Sequence, residues 1–450
     1  MRVLDAIDDY HALLTPEVAE EAHHTMRRLQ RERGTFFGER ALCNVLRPHF
    51  YSRPKWDSFK VSLEVLLSAF VTAHRACCEN DGYRGLLGLT PDEEKMFQYD
   101  TCRETPWTSS RLDTFWIADQ EAVKCVEYNS ETPAGIGYND ILNDVFDALE
   151  PMKRFRQKYH LEGMRVLHPL YEAIIKSYHD WGGREQPQIG ILDWAEVPTI
   201  NEHEITRQYF ETYGYKSILG DPREVEYRNG ALWLGDFRID IIYKRVLYSE
   251  LLERMSVENP ILHAVRDRAV YITNSPACKL MAKKASLAFL SDERNAHLFS
   301  AEQIKAIDNC IPWTRVVSDR KTTYNERDVD LMEFIARYQD ELVLKPNDEY
   351  GGKGVILGWD CSSEIWQETI KHSLEEPFVV QQRVDVAQRP FPAWIDDQLD
   401  ISPRFVDADP YVFHGSQVHG CLTRLSSAAL LNVTAGGGSV VPTYIINEIG

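Results

Sequence analysis

Lys345 ends an apolar run, Leu342-Val343-Leu344, and precedes a polar segment and then Tyr350-Gly351-Gly352-Lys353-Gly354, after which a second apolar run leaves through Val355, Ile356 and Leu357. Two strands joined by a glycine-rich turn form a flap. Glycines let backbone N–H groups approach an anion closely and a lysine adds a point charge, so the pattern suits the covering of a phosphate. It is not a Walker loop, because Lys353 is followed by Gly354 rather than Ser or Thr. It is not the dinucleotide fingerprint either, since Gly358 comes one residue too late after Gly352 and Gly354. A plain hairpin would explain the glycines alone. Lys345 on an apolar strand is the stronger signal, because lysines are rarely buried without a partner.

A second constellation lies more than 200 residues upstream. In Cys125-Val126-Glu127-Tyr128-Asn129 the alternation of a strand puts Glu127 and Asn129 on one face. Arg111 and Asp113 share a face of the preceding run, which is expected to pair with this one across the turn at Ala118-Asp119-Gln120-Glu121. Two carboxylates and an amide oxygen are hard ligands suited to Mg2+ bound together with nucleotide phosphates. Arg111 is placed to hold a transferred phosphate or an acyl phosphate. The plainer alternative is a solvated strand end.

These residues need elements to position them. Thr15 before Pro16 caps a helix through residue 29, residues 57–78 carry a second amphipathic run, and a third helix follows Thr90-Pro91. Residues 139–159 read as helical. From 187 to 250 the order is strand, helix, strand: Ile189–Asp193, a helix from Glu202 to Tyr213, a strand at 216–220, a hairpin turning at Asn229-Gly230, and a strand from Ile239 to Arg245. Helices are expected at 278–290, 300–309 and 326–340, with strands around the glycine loop and from Phe378 onward.

With 450 residues the chain has length for two or three domains, and 44% hydrophobic with 26% charged residues is ordinary for a globular protein. The formal charge of −19 disfavours general nucleic-acid binding. The apolar runs are short of a membrane span, and the N-terminus lacks the order of a signal peptide. The 9 cysteines are an odd number without paired spacing, which fits reduced thiols in a cytoplasmic protein. No His-Glu-x-x-His occurs.

Together the parts resemble the ATP-grasp family. Lys345 and the Tyr350–Gly354 loop look like its second lysine and flap. Lys284, with Lys283 as its rival, looks like the first lysine. Pro377–Val384 looks like the hinge, where Gln381 or Gln382 would meet the adenine edge and Val384 would also contact ATP. Asp409 onward, with Arg424 and then Asn432-Val-Thr-Ala-Gly436-Gly437-Gly438-Ser439, looks like the catalytic sheet and its anion-binding turn. The family's metal set should follow Asn432, but Arg111-x-Asp113 and Glu127-x-Asn129 stand near the front instead. That order is similar to the circularly permuted branch that includes the glutathionylspermidine synthetase domain. Tyr243 and Arg245 also fit the pattern, as candidates for the substrate site.

The resemblance implies an α+β or α/β protein: a circularly permuted ATP-grasp fold with a helical N-terminal region and a small α/β pre-grasp-like domain. The implied divisions are 1–104, helical; 105–160, metal-binding strands; 161–275, the α/β substrate domain; 276–380, the flap; and 381–450, the catalytic sheet. The implied cofactors are ATP and Mg2+. The implied activity joins a small-molecule or peptide carboxylate to an amine through an acyl phosphate, with ADP released. Nucleic acid and membrane are not expected partners. An ATP-binding scaffold without catalysis, or a phosphotransferase on the same fold, remains open as an alternative.

Overall fold

The computed structural model describes residues 3–38, 40–100, 104–117, 122–427 and 438–448. Its centre is an eight-stranded sheet assembled from both ends of the chain. Along its path stand His49–Ser52, Ser439–Glu448, Gln417–Ser426, Gln398–Phe413, Ser109–Ile117 and Ala122–Asn129, while Gln388–Ile395 and Tyr159–Gly163 pair beside it. The strand pair expected from Arg111-x-Asp113 and Glu127-x-Asn129 is present. Asp113 stands opposite Glu127 and Arg111 opposite Asn129, so all four share one face. An irregularity between Asp113 and Thr114 absorbs the extra residue between the two motifs.

A second sheet is parallel, in the order Tyr271–Ile272, Ile241–Lys244, Ile189–Leu192, Ser217–Gly220. Ile189–Leu192 and Ile241–Lys244 are buried at every residue, as a sheet covered on both faces requires. The run at 239–245 is split: Phe237–Ile239 joins a small antiparallel sheet, and Ile241–Lys244 joins the parallel one. A third, antiparallel sheet, Thr314–Val316, Phe378–Gln382, Leu342–Pro346, Ile356–Leu357, carries the glycine loop.

Helix caps follow the sequence. The Thr15 side chain accepts from the Val18 N–H, and Thr90 and Glu93 form a reciprocal capping box. The helix Arg53–Glu79 is long and apolar enough to cross a membrane, more so than the sequence reading allowed. Here Leu63, Leu66, Leu67, Phe70 and Ala73 are fully buried in a core shared with the central sheet and the Ala301–Cys310 helix.

Three further expectations change. Residues 326–340 are not one helix: Asn325 and Glu326 take positive φ (47° and 62°), a two-residue turn that pairs Lys321–Tyr324 with Arg327–Asp330, and Asp330 then caps Leu331–Arg337. Residues 139–159 form two helices, Ile136–Ala148 and Glu150–Phe155, because Pro151 starts a new one, and Tyr159 begins a strand. The N-terminal region is not purely helical, since His49–Ser52 runs parallel to Ser439–Glu448 in the central sheet.

Candidate active site

One cleft of about 630 Å³ runs between the three sheets. At one end the flap sheet supplies Lys345. Its ammonium donates to Gln381 Oε1 at 2.6 Å and to the Val126 carbonyl at 3.4 Å. Burial pushes the Lys345 pKa down to about 8; Glu127 opposes this and Lys284 adds to it. Gln381 is held at its other end, where Nε2 donates to Thr314 Oγ1 at 3.0 Å. It therefore orients Lys345, and its amide is already engaged where an adenine contact was expected. The Gln382 side chain turns to the Tyr324 hydroxyl at 3.2 Å. Val343, Leu357, Trp359 and Val384 give this end apolar walls. Trp359 was not singled out from the sequence, because its place follows from the turn after Ile356–Leu357.

The helix expected at 278–290 is broken: Lys279–Ala282 and Ala285–Ser291 are separate helices, and Lys283 and Lys284 are the two residues between them. Lys284 lines the cleft; its ammonium lies 3.0 Å from Glu127 Oε1 and 2.5 Å from the Glu349 carbonyl. Lys283 turns inward to Glu93 at 2.7 Å and Asp348 at 3.0 Å. Lys279 joins that buried network, 2.7 Å from Asp348 and 3.0 Å from Glu131. Burial works against the charge on Lys279, and Glu131, Asp348 and Glu93 more than offset it, leaving its pKa raised. Asp348 roots the flap in this network. Asn347 adds a bond from Nδ2 to the Leu87 carbonyl and accepts the Ala285 N–H at Oδ1, both at 2.8 Å.

Beyond that root, Gly351, Gly352 and Gly354 have φ of 63°, 76° and 70°. A Cβ on Gly354 would stand 2.7 Å from Pro346 Cγ. Gly351, Gly352 and Tyr350 line the cleft. Tyr350, 59% exposed, reaches across it to donate to Glu250 Oε1 at 3.2 Å. Lys353 points outward, paired with Glu349 at 3.0 Å and 75% exposed, so it does not face the cleft in this arrangement.

In the middle of the cleft the central sheet gathers two guanidinium groups and three aspartates. Arg111 donates twice to Asp113, at 2.8 and 3.0 Å, and once to the Ala134 carbonyl at 2.9 Å. Arg424 donates to Asp113 at 2.8 Å and to Asp407 at 2.6 Å, and its Nε is 2.8 Å from Asp409 Oδ2. Asn129 Nδ2 also donates to Asp113 at 2.8 Å. Burial alone would raise the Asp113 pKa, but Arg111 and Arg424 hold it well below the carboxylate range. Asp409 goes the other way: full burial and the neighbouring aspartates outweigh Arg424 and Arg111. The sequence reading used Asp409 only to mark the start of the catalytic sheet and passed over Asp407; the available signal was their i, i+2 spacing in the otherwise apolar second half of the strand, from Phe405 to Phe413.

Among the described residues no group of three His, Cys, Asp or Glu side chains is arranged to hold a metal unaided. Glu127 and Asn129 line the cleft, and a carboxylate with an amide oxygen is a small oxygen set that suits Mg2+ when phosphates and water complete the shell. Asp113 differs: its two oxygens already accept four N–H bonds.

The far end rests on the parallel sheet. Arg245 lines the cleft, whereas Tyr243 lies beneath it, with its hydroxyl 3.5 Å from Arg245 Nη1. Asn432, Gly436 and Gly437 lie outside the described residues. Gly438 is buried, and Ser439 accepts the Asn44 N–H at 3.0 Å, tying the strand to the N-terminal segment.

No family model matches the chain. A protein of Frankia casuarinae with the provisional name glutamate–cysteine ligase 2-2 is 27% identical over 334 residues, covering 70% of this chain and 36% of that protein. A Frankia alni protein with the provisional name glutamate–cysteine ligase 2-3 is 26% identical over 212 residues, 45% of this chain and 23% of its own length. The chain thus spans about a third or less of the length of these two relatives. Among solved structures, a glutathione synthetase-like effector from Globodera pallida superposes with a TM-score of 0.60, covering 96% of this chain and 98% of that one at 11% identity. The mixed α/β fold is therefore like that of a glutathione synthetase-like protein.

Proposed function

We propose that this protein is an ATP-dependent carboxylate–amine ligase on a circularly permuted ATP-grasp fold. The observation that carries the reading is convergence. Lys284, Lys345, Glu127, Asn129, Arg111 and Arg424 come from distant parts of the chain and line one cleft. The permutation is supported by the central sheet, where the upstream strands Ser109–Ile117 and Ala122–Asn129 extend the sheet formed by the C-terminal strands. The relatives named as ligases support the reaction class. Free thiols at all eight described cysteines suit a reducing compartment.

In this reading Lys345 and Lys284 hold the nucleotide phosphates, and the apolar walls at Val343, Trp359 and Val384 take the base. Glu127 and Asn129 would hold Mg2+, with Asp113 joining once its guanidinium partners turn to substrate. The metal offsets phosphate charge. A substrate carboxylate oxygen attacks the terminal phosphorus, the bond to ADP breaks, and an acyl phosphate forms. An amine nitrogen then attacks the acyl carbon, the carbon–oxygen bond breaks and inorganic phosphate leaves, while the protons lost from nitrogen pass to phosphate and solvent. Arg111 and Arg424 offset the charge that develops on the acyl phosphate. The flap from Tyr350 to Gly354 excludes water that would hydrolyse it.

The test is phosphate release from ATP across panels of carboxylates and amines, with Glu127→Gln as control. The ligase reading expects at least one pair to stimulate release only when both members are present. ADP formed with one acceptor alone, its phosphate kept on that acceptor rather than released, indicates a phosphotransferase, and no stimulation above the control contradicts catalysis.

A further inference from the structure

The far end of the cleft has chemistry that the nucleotide end does not use. From Ile189–Leu192 the chain passes through the helix Ile200–Thr212 to Ser217–Gly220 on one side, and later returns to Ile241–Lys244 on the other. Connections therefore leave Ile189–Leu192 and Ile241–Lys244 in opposite directions, and in open α/β sheets ligands bind outside the carboxyl ends of such a strand pair. The first residues past those ends are Asp193 and Arg245. Both line the cleft, as does Glu202 from the following helix.

Three buried atoms here lack a hydrogen bond: Nε2 of His203, 3.4 Å from Asp193 Oδ2, and two of opposite charge, Nε of Arg245, a donor on a cation, and Oε2 of Glu202, an acceptor on an anion. A buried donor or acceptor left unmet carries its full desolvation cost. The other atoms of Arg245 and Glu202 are fixed. Arg245 Nη1 donates to the Pro133 carbonyl at 2.6 Å, and Glu202 Oε1 accepts the N–H groups of Gly135 and Gly137 at 2.8 and 3.3 Å. The two do not satisfy one another, since Arg245 Nη2 and Glu202 Oε2 are 3.8 Å apart. Asp193 adds a second anion, its pKa raised to about 6 by burial against the pull of Arg245. His203 supplies no cation: burial and Arg245 lower its pKa to about 3.

A bare amine would leave the Arg245 donor unmet, and a bare carboxylate would bring a third anion beside Glu202 and Asp193, which already draw on Arg245. We propose that this crevice binds the amine substrate and that the substrate is an α-amino acid, with its carboxylate on Arg245 and its ammonium between Glu202 and Asp193. The role as amine substrate rests on the ligase reading; the binding site does not.

The experiment is calorimetric titration of the full chain with a panel of L-amino acids, their decarboxylated amines and their N-acetyl forms, with and without a non-hydrolysable ATP analogue and Mg2+. At least one amino acid should bind, while its amine and N-acetyl forms should not. Arg245→Gln should weaken it about 30-fold or more and leave nucleotide affinity unchanged. Binding of the amine as tightly as its amino acid, no amino-acid binding in either condition, or unchanged affinity in folded Arg245→Gln overturns the proposal. Loss of nucleotide binding in the unsubstituted protein counts against the ligase reading alone.

Discussion

Lys284 Nζ lies 3.0 Å from Glu127 Oε1, a contact between residues 157 apart in sequence. It joins the helix break after Ala282 to the edge strand of the central sheet, and it fixes which of two adjacent lysines meets the cleft. Lys284→Ala should raise the Kd for ATP with little change in thermal stability. Lys283→Ala should do the reverse, losing about 1–3 kcal/mol because Glu93 and Asp348 each lose a hydrogen-bond donor and are left with Lys279 as their buried cation. Isothermal titration and denaturant melts on both variants check the division.

Lys345 predicts a pH dependence. Its pKa near 8 means the ammonium is present below that value and lost as pH rises through it. Affinity for ATP should therefore be flat below about pH 7 and fall above about pH 8. Lys345→Arg should remove the inflection, because a guanidinium stays charged. Lys345→Ala should lower turnover by roughly 10²-fold. Kd and kcat measured across pH test all three.

The pair Asp407 and Asp409 separates structural from dispensable charge. Arg424→Met should destabilise by about 3–5 kcal/mol, since it strips the shared cation from buried carboxylates. Asp409→Asn should change stability little, because burial already holds that carboxyl toward its neutral form. Urea midpoints compare them.

Gly354→Ala tests the flap. The residue combines φ of +70° with a Cβ position 2.7 Å from Pro346 Cγ. The strain should cost about 1–2 kcal/mol and lower kcat, with the effect concentrated in the flap. Hydrogen exchange at 350–356 and steady-state rates read the two effects.

Much of this site was legible because strands alternate. The period of two put Arg111, Asp113, Glu127 and Asn129 on one face, and the pairing then followed. Lys345 was legible as a charge on an apolar strand. The rest depends on contacts that carry no local signature. Gln381 was read as a base contact, yet it holds Lys345 because Thr314 lies on the strand beside it. Lys353 sits in the glycine loop but points to Glu349, a matter of turn geometry. Arg327–Asp330 was read as helix because its charges fit either period, and a positive-φ turn at Asn325 and Glu326 decided for a hairpin.

The most direct measurement follows oxygen from the carboxylate substrate. Once a productive carboxylate and amine pair is found, the carboxylate is supplied with isotopically labelled oxygen and the released phosphate is analysed by mass spectrometry. An acyl-phosphate ligase transfers one labelled oxygen to inorganic phosphate for each amide formed. Amide formation with unlabelled phosphate, or ADP release that does not require the amine, contradicts it.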